Sequence, residues 1–232
     1  MREASKTNKF RPDDFFDKYL SGVVLDIGAG NDLVCPHAQG FDLEHGDANQ
    51  INHYFLPESF DAVHSSHSLE HMHEPVGTLE RWWSLVKPGG YLIVVVPHED
   101  LYEQGIWPSV FNHDHKVTFR LDKRETWSPV SYDIGQLCRN LPGAEVVSAV
   151  IQAHNYDRRY IFPSGLNPKS RYSRPLRLAF SVVKRIPVVG SNMVRQMKVA
   201  LISRGYPLDQ TQYDACAQIE VIVRKLSLNC QN

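Results

Sequence analysis

Val23 to Ile27 is a short, mostly apolar run that ends in Gly28-Ala29-Gly30, and this junction constrains the fold more than any other segment. A strand covered on both faces reads as a near-continuous apolar run, as in parallel sheets flanked by helices. Glycines placed directly after such a strand let the backbone turn sharply and approach a ligand. The next helix then aims its free N–H groups at the same spot.

The rest of the chain repeats that punctuation. A second strand ends at Phe41-Asp42, with Gly46-Asp47-Ala48 close behind, and Phe60 to His64 reads as a third. A helix then carries Val76, Leu79, Trp83 and Val86 on one face. Lys87-Pro88-Gly89-Gly90 stops it and leads into Tyr91 to Val96, the most apolar strand in the chain. Pro12 to Leu20 predicts a leading helix, and a further helix is expected near Tyr132 to Leu141. Strands are expected from about Glu145 to Ile151 and from Gln218 to Val223. Strands alternating with helices give an α/β fold with a parallel, doubly wound sheet.

At 232 residues the chain fits one domain spanning 1–232. Its cofactor-binding core covers about 12–152, a basic insertion or lid about 153–215, and a final strand about 217–225. The hydrophobic share of 42% excludes a disordered chain. Cys35, Cys138, Cys216 and Cys230 form no C-x-x-C pair, so neither a zinc site nor a disulfide framework is expected from them. No run reaches the roughly 18 apolar residues of a membrane span, and the first residues lack an apolar signal core. The expectation is a cytoplasmic protein.

Asp26 sits just before the glycines, where an acid suits a cofactor with a positively charged amino acid end. A nicotinamide dinucleotide site would carry G-x-G-x-x-G, and the third glycine is absent. Asp42 ends the second strand, where a carboxylate can accept from both ribose hydroxyls. Asp47-Ala48 is placed to meet an adenine. Together with Phe60-Asp61-Ala62-Val63, Ser65-Ser66, Leu69-Glu70-His71 and Lys87-Pro88-Gly89-Gly90, this order resembles the class I S-adenosylmethionine-dependent methyltransferase family. Within that family it is similar to the ubiquinone-pathway type of small-molecule O-methyltransferase. The resemblance covers roughly Val23 to Val96.

It implies a Rossmann-like sheet of six to seven strands with an antiparallel last strand and a long insertion before it. It also implies S-adenosylmethionine held by Asp26, Gly28, Gly30, Asn31, Asp42, Asp47, Ala48, Ser65 and Ser66. Two departures from the pattern are visible. Asp32 stands where many members have a third glycine, and the segment from Asp42 to Asp47 is too short for the usual helix and strand.

Methyl transfer needs a positioned acceptor and, for a hydroxyl, a place for its proton. Histidine suits that role near neutral pH. His71 and His115, with Asp114, are the catalytic candidates, because both histidine groups follow strand ends where ligands bind in open α/β sheets. Tyr102, Trp107 and Phe111 are expected to wall the acceptor pocket. Similar O-methyltransferases can hold a divalent cation near Leu-Glu-His, which points here to His67, Glu70 and His71, with His67 where that type has glutamate. The same residues spell H-x-x-E-H, but a zinc protease would need a further acidic ligand on a neighbouring helix. The N/D-P-P-Y motif of adenine methylation and the Pro-Cys of cytosine methylation are both missing after the third strand.

From Asp157 to Arg204 there are eleven basic residues and one acid, in a chain of net charge −1. Such a lopsided stretch favours an anionic partner. Leu176, Leu178, Phe180, Val182, Val183 and Ile186 lie among the bases, as on a membrane-surface helix. The expected function is O-methylation of a sugar or other hydroxylated acceptor, lipid-linked or phosphorylated, with peripheral contact to anionic membrane through about 158–204. An RNA-directed methyltransferase and a non-catalytic S-adenosylmethionine-binding protein are the alternatives. Exposed aromatics of the kind that stack on bases are few, which weighs against RNA.

Overall fold

Among the described residues eight strands follow in chain order: β1 (Val24–Ile27), β2 (Gln39–Phe41), β3 (Phe60–Ser66), β4 (Val86–Pro97), β5 (Thr118–Arg120), β6 (Ser131–Asp133), β7 (Ala144–Gln152) and β8 (Gln218–Lys225). The computed structural model describes residues 3–169, 190–212 and 214–227. Six strands form one sheet in the order β2-β1-β3-β4-β8-β7. β1 pairs in parallel with β2 and β3, and β3 in parallel with β4. β8 lies antiparallel between β4 and β7. This is the expected Rossmann-like, mostly parallel sheet with an antiparallel last strand. Beyond β2 the chain makes a tight turn into a 3₁₀ segment, Ala48–His53, so no further strand forms at that edge.

Among the described residues five α-helices accompany the strands: α1 (Glu3–Asn8), α2 (Phe15–Tyr19), α3 (Pro75–Ser84), α4 (Ile134–Arg139) and α5 (Gly190–Ser203). Alternation along the strands divides the core into two faces. Leu25, Ile27, Val63, Leu92 and Val94 pack with Leu79, Trp82 and Trp83 of α3. Val24, Ala62, Ile93 and Ile222 pack on the other side with Ala4, Phe15 and Leu20. The two tryptophans also tie the loops down. Trp82 Nε1 donates to the Ala48 carbonyl and Trp83 Nε1 to that of Pro142, each at 2.9 Å.

Several expectations change in detail. The face of α3 is Pro75, Thr78, Leu79, Trp82 and Trp83. Val76 is exposed, and Val86 already belongs to β4 because Leu85 ends the helix. The leading helix is shorter than Pro12 to Leu20, and α1 precedes it, where no element was expected. β5 and β6 make a small parallel ribbon of their own.

In the insertion, Ile202 of α5 packs with Ile106, Tyr160 and Phe162. Arg159 is paired with Asp157, and Lys198 lies over the Tyr160 ring. Arg171, Arg174, Arg177, Lys184 and Arg185, the apolar residues from Leu176 to Ile186, and Cys230 lie outside the described residues. Cys35, Cys138 and Cys216 are buried free thiols. Among the described residues no helix is long and apolar enough to cross a membrane.

Candidate functional site

The turn after β1 works because Gly28 and Gly30 adopt φ of 75° and 54°, the left-handed region that side chains disfavour. A Cβ added to Gly28 would lie 1.8 Å from Ser68 Oγ. The Gly28 N–H donates to the Phe41 carbonyl at 2.7 Å, which fastens the turn to the end of β2. Gly30 N–H and Leu43 N–H each donate at 2.7 Å to one oxygen of Asp42. Each oxygen keeps a second lone pair, so the carboxylate can still accept from two hydroxyls.

Asp26 is more constrained. One oxygen lies 2.6 Å from His64 Nδ1 and the other accepts from Val34 N–H at 2.6 Å, and all of this is buried. β1 and β3 place Asp26 and His64 side by side in register. His64 Nε2 lies 3.4 Å from Arg11, which in turn pairs with Glu220 at 2.6 Å. Arginine can only donate, so Nε2 accepts and the His64 proton sits on Nδ1, against Asp26. Sequence reasoning named Asp26 and missed these partners, which come from three other elements.

A cleft of about 250 Å³ opens over the turn. Its wall includes Asp26, Gly28, Ala29, Gly30 and Asp32 together with Glu70, His71, Tyr102 and His115. Ser66 and His67 lie on the wall as well. The buried Ser66 Oγ has no hydrogen-bond partner, as expected of a wall that meets a ligand. Ser65 points to the other face of β3 and lies outside the cleft lining, as do Asn31, Asp42, Asp47 and Ala48. Asp42 stays linked to the cleft through Gly30. Asp47 caps the 3₁₀ segment, accepting from Asn49 N–H at 2.9 Å and Asn49 Nδ2 at 2.8 Å. Those bonds hold its carboxyl below the usual carboxylate range. Ala48 N–H lies in the first turn of that segment, where backbone donors lack a partner within the helix.

α1 covers the cleft with Glu3 and Ala4. It is held there by Ser5, whose N–H donates to Asp32 at 2.9 Å and whose hydroxyl bonds the same carboxylate. Neither α1 nor Thr211, which also lines the cleft, carries a local sequence signal.

The same cleft gathers two histidines around Glu70. Glu70 is 1% exposed, and its Oε1 lies 3.9 Å from His71 Nε2 and 3.9 Å from His115 Nε2. His71 Nδ1 is 2.9 Å from Asp114, and His115 Nδ1 is 2.7 Å from Glu103. Burial opposes protonation of His115, but the hydrogen bond to Glu103 and the carboxylates of Glu70 and Glu103 outweigh it, so its pKa is raised. Tyr102 packs on the His115 ring, 5.2 Å between centroids, and on Phe111. Burial, followed by nearby carboxylates, raises the Tyr102 phenol far above its usual pKa, so it remains a donor. Trp107 is outside the cleft lining. The His115 loop is fixed to the Glu70 turn by Lys116 N–H, which donates to the Glu70 carbonyl at 2.8 Å. His67 has φ of 54°, and its Nε2 is 2.9 Å from Gln218 Oε1. Glu70, His71 and His115 therefore share one point, with His67 to the side.

The glycine turn, Asp42 and the unpartnered Ser66 hydroxyl fit an adenosyl amino acid cofactor.

Residues 5–157 match the model of a family described as "Methyltransferase domain". Among solved structures, an S-adenosylmethionine-dependent methyltransferase from Archaeoglobus fulgidus is 14% identical. The match covers 97% of this chain and 95% of that one, with a TM-score of 0.51. A putative methyltransferase from Bacillus halodurans is 14% identical, covering 98% and 100%, with a TM-score of 0.49. No curated protein matches the chain.

Proposed function

The chain belongs to the methyltransferase domain family and is an S-adenosylmethionine-dependent enzyme of class I, and from that premise we propose that it methylates a hydroxyl of a small, sugar-like acceptor. The observation that supports this reading is the convergence of Glu70, His71 and His115 on the wall of the same cleft that carries the glycine turn. S-adenosylmethionine, which the glycine turn and Asp42 would hold, would supply an electrophilic methyl group on a sulfonium and keep the S–C bonding pair as the acceptor oxygen takes the methyl. The hydroxyl proton passes to the histidine–carboxylate cluster and on to solvent. Tyr102 orients the acceptor by donating to it, and Asp42 and the turn set the direction of the cofactor.

The stretch 158–204 supports an acceptor with an anionic part, lipid-linked or phosphorylated, by its charge alone. Membrane contact and an acceptor's own phosphate share that chemistry.

One experiment addresses cofactor and acceptor together. Asp42→Ala is expected to weaken S-adenosylmethionine binding by roughly 1–3 kcal/mol in calorimetry, the loss of hydrogen bonds to a charged group. Wild-type protein, offered hydroxylated acceptors with and without phosphate or a lipid tail, should yield an acid-stable methyl ether. Anionic acceptors should be favoured at low salt. Methyl groups recovered on nitrogen or on RNA bases would instead overturn the hydroxyl assignment.

A further inference from the structure

Glu70 is almost completely buried, yet neither of its carboxylate oxygens accepts a hydrogen bond. A buried carboxylate left that way is strongly unfavourable, so positive charge belongs beside it. Two imidazole Nε2 atoms face it, both at 3.9 Å, too far for hydrogen bonds. Their other ring nitrogens are engaged by carboxylates, Asp114 behind His71 and Glu103 behind His115. A carboxylate at Nδ1 keeps the proton there, fixes the ring and leaves an Nε2 lone pair aimed forward, as in metal-ligating histidines.

We propose that Glu70, His71 and His115 bind a divalent ion of the zinc, cobalt, nickel or iron(II) class rather than magnesium. The third ligand is His115 from the loop after β4, not His67. Two nitrogens and one oxygen suit borderline ions, whereas magnesium prefers oxygen ligands and gives up its water reluctantly. The three donor atoms all lie within 4.8 Å of one another. Small inward movements of the side chains close that spacing around an ion with bonds of about 2.0–2.2 Å. His67 is diverted by the bond from its Nε2 to Gln218, and although its Nδ1 is 3.6 Å from Glu70 it is not among the donors that all lie within 4.8 Å of one another. The donors are also pre-positioned, because the Lys116–Glu70 backbone bond joins the two loops that carry them. The role of the ion rests on the methyltransferase reading: its charge favours the deprotonated form of a hydroxyl beside it, so the proton leaves to solvent while His71 and His115 serve by holding the ion. Its binding does not.

The test uses the full chain, stripped with chelator and titrated with cobalt(II), read by the ion's visible absorption. One equivalent should give an intense low-coordination spectrum that zinc abolishes and excess magnesium does not. Glu70→Gln and His115→Ala should lose the spectrum. Glu103→Gln should weaken binding about 10–100-fold by freeing the His115 ring, and His67→Ala should leave it intact. S-adenosylmethionine affinity, measured on every variant, reports whether the fold and the cofactor site survive. The ion is refuted if wild type gives no cobalt spectrum while still binding cofactor and transferring methyl groups. A protonated His115 would then neutralise Glu70 in its place. A spectrum unchanged by His115→Ala, or magnesium displacing cobalt at equal concentration, would overturn the ligand set or the ion class. Cobalt bound without cofactor affinity would leave the site standing and sink the methyltransferase role instead.

Discussion

Gly28→Val will leave no S-adenosylmethionine binding detectable by calorimetry. Two effects act together at this residue. Its φ of 75° costs a side-chain-bearing residue about 1–3 kcal/mol, and more when the side chain is β-branched. The added Cβ also falls 1.8 Å from Ser68 Oγ, inside any allowed contact. The turn cannot back away cheaply, because the Gly28 N–H is bonded to Phe41 and the neighbouring Gly30 to Asp42. Gly28→Ala combined with Ser68→Ala removes the clash and keeps the backbone strain, so it should recover part of the binding. Valine at position 28 with affinity within a few-fold of wild type would mean that the cofactor does not meet this turn.

The second large effect concerns turnover. Alanine at His71 or at His115 is expected to lower it by about 10²–10⁴-fold, the usual contribution of a group that handles a proton in the transition state. Cofactor affinity should scarcely change, because the residues assigned to the cofactor are the glycine turn and Asp42 rather than these imidazoles. Asp114→Ala should cost less, since its side chain is 69% exposed and water can take its place behind His71. Single-turnover assays with saturating cofactor separate these expectations from binding defects. Near wild-type turnover in both histidine variants would remove the cluster from the chemistry.

Local signals in the sequence were read well, and long-range ones were not. The glycine turn, the four parallel strands and β8 are each declared by a few consecutive residues, so the sheet was legible before any coordinates. Val86 was misplaced because helical spacing continues past Leu85, although the chain has already begun to extend into β4. α1, β5 and β6 have three to six residues each, too few for a period to show. At the site, Gly28, Gly30, Ser66, Glu70, His71 and His115 were all named, but not which of them would meet. His115 reaches Glu70 only because one backbone bond joins their loops, and Glu103 braces it from a turn that no motif marks. Arg11 and Glu220 each read singly as an ordinary surface or core residue, and His64 reads as one of several candidate histidines after the third strand. Their meaning lies in the pairing of the segment after α1 with β3 and β8.

That pairing has a consequence for how the molecule breathes. A six-residue helix near a chain terminus normally opens and closes almost freely, and its amides exchange with solvent close to the unprotected rate. α1 is joined to the strands instead: Asn8 donates to the Val34 carbonyl, Gln218 to Thr7, and Arg11, just beyond the helix, to Glu220. Opening it strips the buried Arg11–Glu220 pair of one partner, a loss typically of about 3–5 kcal/mol. Its amides should therefore exchange at the slow rate of β1 and β8 rather than at the rate of the surface. The cover of the cleft and the floor beneath it then belong to one cooperative unit.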